Sequence, residues 1–144
     1  MLSPTLMVED IAKSLEFYTQ TLGFEEIGRM AGPDGNLIFG NIKWKEVHIM
    51  FGSTAWLPPE AVPHRGAGVD FYITGQAEDD IDQFYRMLKE KGVNIVKEIE
   101  DQFWGDRTFS IQDPDGYQFT FAKPVREVSP EEMAEALKNM EMPA

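Results

Sequence analysis

From Asp101 to Phe121 the chain reads as a loop, a strand, a tight turn and a second strand. Thr108, Ser110 and Gln112 alternate with Phe109 and Ile111, the period-2 pattern of a strand with one buried face. Asp113-Pro114-Asp115-Gly116 supplies turn chemistry, and Tyr117 to Phe121 resumes the extended pattern. The loop that leads into this hairpin carries Phe103 and Trp104.

Upstream, Thr5 to Val8 predicts a short strand. A helix follows from Asp10, its N-cap, with Ile11, Leu15, Tyr18 and Leu22 in one apolar stripe and Gly23 at its end. Phe24 to Met30 and Leu37 to Ile42 predict two strands joined by a turn at residues 32–36. Glu46 to Phe51 predicts a third, with Val47, Ile49 and Phe51 on one face and His48 and Met50 on the other. Gly52 to Gly68 holds Pro58, Pro59 and Pro63 without any period and is expected to be a linker and mobile loop. The order then recurs. Val69 to Ile73 is a strand, Asp79 or Asp80 opens a helix carrying Ile81, Phe84, Tyr85 and Leu88, Gly92 stops it, and Asn94 to Glu98 is a strand before the hairpin. Phe17 to Phe24 (FYTQTLGF) and Phe84 to Val93 (FYRMLKEKGV) are weakly alike at matching places, an architectural repeat. The expected fold class is therefore α+β: two βαβββ modules, about 1–52 and 68–123, with sheets curving around a cleft. Ser129-Pro130-Glu131-Glu132 starts a short helix to about Met140, with Met133, Ala136, Leu137 and Met140 as its apolar stripe. Residues 124–144 are read as a helical extension that packs on its own domain or across a dimer.

Composition narrows the function classes. The formal charge of −12 argues against nucleic acid, which needs clustered Lys and Arg. No apolar run is long enough for a membrane helix and no signal peptide is visible. The absence of cysteine excludes disulfides and thiolate metal sites and fits a cytoplasmic protein. Asp113 and Asp115 are explained by the turn and are assigned no chemistry. Trp44 and Trp56 are read as surface or interface aromatics, His64 as exposed, and Glu98, Glu100 and Asp101 as a solvated acidic edge.

Leu2 to about Lys123, through VEDIAKSLEFYTQTLGFE and DPDGYQFTF, resembles the vicinal oxygen chelate superfamily: glyoxalase I, extradiol dioxygenases, fosfomycin-resistance enzymes and bleomycin-resistance proteins. In the metal-dependent members of that family, His, Glu or Gln side chains hold an ion. Carried over one at a time, those positions fall at Ser3, at His48 or Met50, at Val69 and at Thr120, so at most His48 survives as a ligand, whereas a catalytic ion needs about three. The resemblance thus implies the metal-free, bleomycin-resistance-like branch, without catalytic residues or cofactor. Its expected partner is a small cationic or aromatic ligand, sequestered in the cleft of a homodimer. The ligand-binding candidates are Trp104, Phe103, Phe39, His48, Met50, Phe71, Arg107 and Phe119. Two alternatives stand beside this reading. One is a metal-dependent lyase, isomerase or dioxygenase with displaced ligands such as His48, Glu46 or Glu98. The other is a non-catalytic interaction protein that uses the C-terminal helix.

Overall fold

The computed structural model describes residues 1–75, 80–141 and 143 of the chain. It is α+β and falls into two compact units, Met1–Val69 with Gln112–Tyr117, and Asp70–Ile111 with Gln118–Ala144. Each contains one four-stranded sheet.

In the first unit, β1 (Thr5–Val8), α1 (Ile11–Glu16), β2 (Glu25–Ala31), β3 (Leu37–Trp44) and β4 (Val47–Ser53) give the sheet order β1-β4-β3-β2, with β1 parallel to β4. Asp10 caps α1 through its carboxylate, which accepts from the Lys13 amide. The apolar stripe Ile11, Leu15, Tyr18 and Leu22 is buried throughout, against Leu6, Val8, Ile42, Ile49 and Phe51. That covers one face of the sheet. The helix does not run regularly to Leu22, as its period predicts. It widens into a π turn over Phe17–Thr21, where the Thr19 hydroxyl donates to the Leu15 carbonyl and the Leu22 amide reaches back five residues to Phe17.

The proline-rich stretch is not featureless, as its lack of period suggests. It forms 3-10 turns at Thr54–Trp56 and Pro59–His64, and Arg65, nearly buried, ties it down by ion pairs to Asp115 at 2.9 Å and Glu9 at 3.5 Å.

The second unit repeats the order with β5 (Asp70–Thr74), α2 (Ile81–Glu90), β6 (Asn94–Asp101), β7 (Asp106–Gln112) and β8 (Gln118–Pro124), arranged β5-β8-β7-β6 with β5 parallel to β8. Asp80 is the N-cap of α2, accepting from the Gln83 amide; Asp79, the other sequence candidate, lies outside the described residues. Phe84 and Tyr85 of α2 meet Phe109 and Phe121 edge-on, closing the core on one face of the sheet. The C-terminal helix α3 (Pro130–Lys138) starts as its sequence predicts, with the Ser129 hydroxyl accepting from the Glu132 amide. None of its residues is buried, and Leu137 and Met140 are open to solvent.

Gly105 shows how tightly the loop before β7 is built. Its φ is +103°, and an added Cβ would stand 2.5 Å from the Arg126 carbonyl oxygen. Gly105→Ala is expected to cost about 2 kcal/mol from backbone strain, measured as a lowered denaturant midpoint at unchanged slope.

Candidate functional site

With α1 and α2 covering one face of each sheet, the opposite faces are where exposed side chains gather, and each is built by strand alternation. In the first unit, Met50 lies opposite Thr5 on one side and Asn41 on the other. His48 faces Lys43, which in turn faces Glu25, and Phe39 faces Met30. Opposed residues share a face, so Phe39, His48 and Met50, all three candidates from the sequence, lie together on the side of the sheet away from α1. The Asn41 Oδ1 is buried there without a hydrogen-bond partner.

The face of the second sheet opposite α2 is polar and more elaborately connected. Tyr72 and Asp70 alternate with Phe71 and Ile73 along β5, and Tyr72 lies opposite Thr120. The Thr120 hydroxyl donates to the Asp70 carboxylate at 2.8 Å and shares a 2.7 Å hydrogen bond with the buried Ser110 hydroxyl. The Tyr72 hydroxyl donates to Asp106, and the Trp104 indole N–H donates to the Tyr72 oxygen at 2.9 Å. Burial and the bond to Asp106 push the Tyr72 phenol up to about 12, so it keeps its proton throughout the neutral range. Trp104 is 38% exposed and Tyr72 44%, which leaves aromatic surface open beside two carboxylates. The Phe103 ring stands perpendicular to the Trp104 ring, 5.0 Å between centroids.

Three sequence candidates are placed elsewhere. Phe119 is fully buried and packs against the half-buried Phe71 at 5.1 Å, and alternation puts both on the side of Ile73 and Phe121, the face that α2 covers. Arg107 follows Asp106 by one residue and therefore points to the other face. Its guanidinium donates to Asp82 of α2 and to Asp101, both at 2.9 Å, and those bonds hold it charged. It fastens the start of α2 to β7 and is not free for a substrate anion.

Residues that the sequence reading passed over carry much of this face: Asp70, Tyr72, Asp106 and Ser110. The signal was present in β5, whose polar alternates Asp70, Tyr72 and Thr74 sit out of phase with its apolar ones. Asp70, one residue from the mapped position Val69, is the side chain that shares a face with Thr120. A catalytic metal does not fit these groups. Thr120 offers a hydroxyl already donated, Glu98 is paired with Lys89 at 3.2 Å, and the cross-strand neighbour of His48 is a lysine. Among the described residues, no three His, Asp or Glu side chains converge as an ion would require. What the face can do is stack a flat ring and attract positive charge.

Comparison with known proteins agrees with this architecture. The family model for the Glyoxalase/Bleomycin resistance protein/Dioxygenase superfamily matches residues 2–121. An uncharacterized protein of Mycobacterium tuberculosis is 32% identical over 146 residues, covering 96% of this chain and 82% of that one. The bleomycin resistance protein of Staphylococcus aureus is 27% identical over 132 residues, covering 85% of this chain and 96% of its own. The crystal structure of a superfamily member from Sphaerobacter thermophilus, 30% identical, superposes with a TM-score of 0.66 over 84% of this chain and 94% of that one.

Proposed function

Because the chain belongs to the glyoxalase/bleomycin resistance protein/dioxygenase superfamily, we propose that it is a metal-free member that binds and sequesters a small cationic or aromatic compound. The observation that carries this reading is the exposed Trp104 ring beside Tyr72, on a sheet face that carries the carboxylates Asp70 and Asp106. An indole face attracts flat and cationic groups, and carboxylates steer positive ligands toward it. The likeness to a bleomycin resistance protein supports an antibiotic-like ligand, and a homodimer as the working form is part of the same proposal. A cytoplasmic location belongs to the proposal too; it rests on the cysteine-free sequence, and no described helix is long and apolar enough to cross a membrane.

Metal stoichiometry tests the proposal against its enzymatic rival. Protein stripped with chelator is offered Zn, Mn, Ni and Fe(II) in turn, and bound metal is counted by mass spectrometry. Well under one ion per chain is expected. One tightly held ion per chain would overturn the metal-free reading and make His48→Ala the next variant.

A further inference from the structure

We propose that Tyr72 and Asp106 are positioning residues, which hold the Trp104 ring in one orientation as a preformed stacking platform. This rests on the reading of Trp104 as a ligand anchor.

An exposed tryptophan on a loop ordinarily samples several rotamers, and a ligand that needs one of them must offset the lost freedom. Trp104 is restrained from two directions. Its backbone is fixed by the tight turn Gln102 to Gly105, in which the Gly105 amide donates to the Gln102 carbonyl and the Gln102 amide to the Asp106 carbonyl. The Gly105 carbonyl accepts from both the Val125 and Arg126 amides, and an Arg126 guanidinium nitrogen reaches the Phe103 carbonyl. The loop is therefore stitched to the segment after β8, on its own unit. The side chain is fixed separately. The indole N–H, its one polar donor, goes to Tyr72, and the Tyr72 proton goes to Asp106.

The direction of this chain follows from its end. Asp106 as a carboxylate can only accept, so Tyr72 must donate to it, and the Tyr72 oxygen is left to accept from the indole. Removing the phenol oxygen or the carboxylate breaks the chain while leaving the Trp104 ring and its backbone intact. The perpendicular Phe103 ring supports one edge of the indole but supplies no polar restraint.

The test uses full-length protein carrying Trp44→Phe and Trp56→Phe, so that Trp104 is the only tryptophan. Near-ultraviolet circular dichroism reads the fixed asymmetry of that ring without any ligand, while the far-ultraviolet spectrum checks the fold. Tyr72→Phe and Asp106→Ala are each expected to lose most of the Trp104 near-ultraviolet signal. Asp106→Asn, which keeps an acceptor oxygen for Tyr72, is expected to restore it. Titration with metal-free bleomycin is expected to weaken roughly three- to tenfold in the two disrupting variants, the penalty for ordering one side chain on binding. An unchanged Trp104 signal in both, with the fold intact, would overturn the proposal even if bleomycin binds. Should the parent protein fail to bind bleomycin, the anchor reading loses its support, and the ligand-free signal alone decides whether Tyr72 and Asp106 position the ring.

Discussion

Trp104→Ala is expected to weaken binding of a flat cationic ligand by about 2–3 kcal/mol, a loss of roughly thirty- to two-hundredfold in affinity. The size follows from what the substitution removes. The ring is 38% exposed, so its remaining surface is already supported by Tyr72 and Phe103, and the open part is what a ligand would cover. Stacking on an indole combines apolar burial with attraction of positive charge to the ring face. Tyr72 on the same face offers a smaller ring, and an indole is the stronger attractor of positive charge. The fold itself should survive, because Trp104 contributes nothing to the buried core of its unit. A calorimetric titration reads the affinity, and unchanged binding would remove Trp104 from the site.

Asp113→Ala is expected to cost about 3–5 kcal/mol of stability, the range for removing one partner of a buried charged network. Its carboxylate accepts the Tyr18 hydroxyl at 2.6 Å, the Tyr117 amide at 2.8 Å and the Asp115 amide at 2.9 Å. Tyr18 is fully buried among Phe17, Phe24 and Phe51, so the variant takes away a short hydrogen bond that is made inside the core. The neighbouring Asp115 continues the network by accepting the Glu9 amide and the Arg65 guanidinium. Chemical denaturation of the variant measures the loss.

The same site gives a pH dependence with a definite sign. Burial, outweighing the hydrogen bonds that favour the carboxylate, raises the Asp113 carboxyl above its ordinary value of 3.8. The folded state then holds the proton more tightly than the unfolded chain does. The stabilisation from that proton is complete below the unfolded value and is lost as pH rises through the folded one. Relative to Asp113→Asn, the natural protein should therefore lose stability as pH rises across the acidic range and stay level above it. A stability difference that ran the other way would mean that the hydrogen bonds dominate the burial.

Much of this architecture could be read from the chain because it is set by local pattern. The stripe Ile11, Leu15, Tyr18 and Leu22 is buried as its spacing requires, and Ile49 and Phe51 are buried opposite His48 and Met50 as alternation requires. The turn at residues 113–116 forms where its residues predict, with Gly116 at φ +90°. What local pattern cannot give is the partner of a side chain distant in sequence. Asp113 looks like turn chemistry alone until Tyr18, 95 residues away, is found donating to it. From the chain alone Arg107 could pair with the adjacent Asp106 or with a substrate anion, and only the fold places Asp82 of α2 and Asp101 beside it. Phe71 and Phe119 are aromatic and central, which suits a binding wall as well as a core; only the placement of α2 decides that they face inward. Tyr72 and Asp106 are 34 residues apart, and nothing in either neighbourhood announces the other.

Titration of chelator-treated protein with metal-free bleomycin, followed by tryptophan fluorescence with chelator still present, tests the central claim most directly. Metal-free sequestration on an aromatic, acidic face predicts saturable quenching that needs no added ion and is lost in Trp104→Ala. Binding that appears only after a stoichiometric divalent metal is restored would contradict it, and would place the chain with the metal-dependent enzymes of its superfamily.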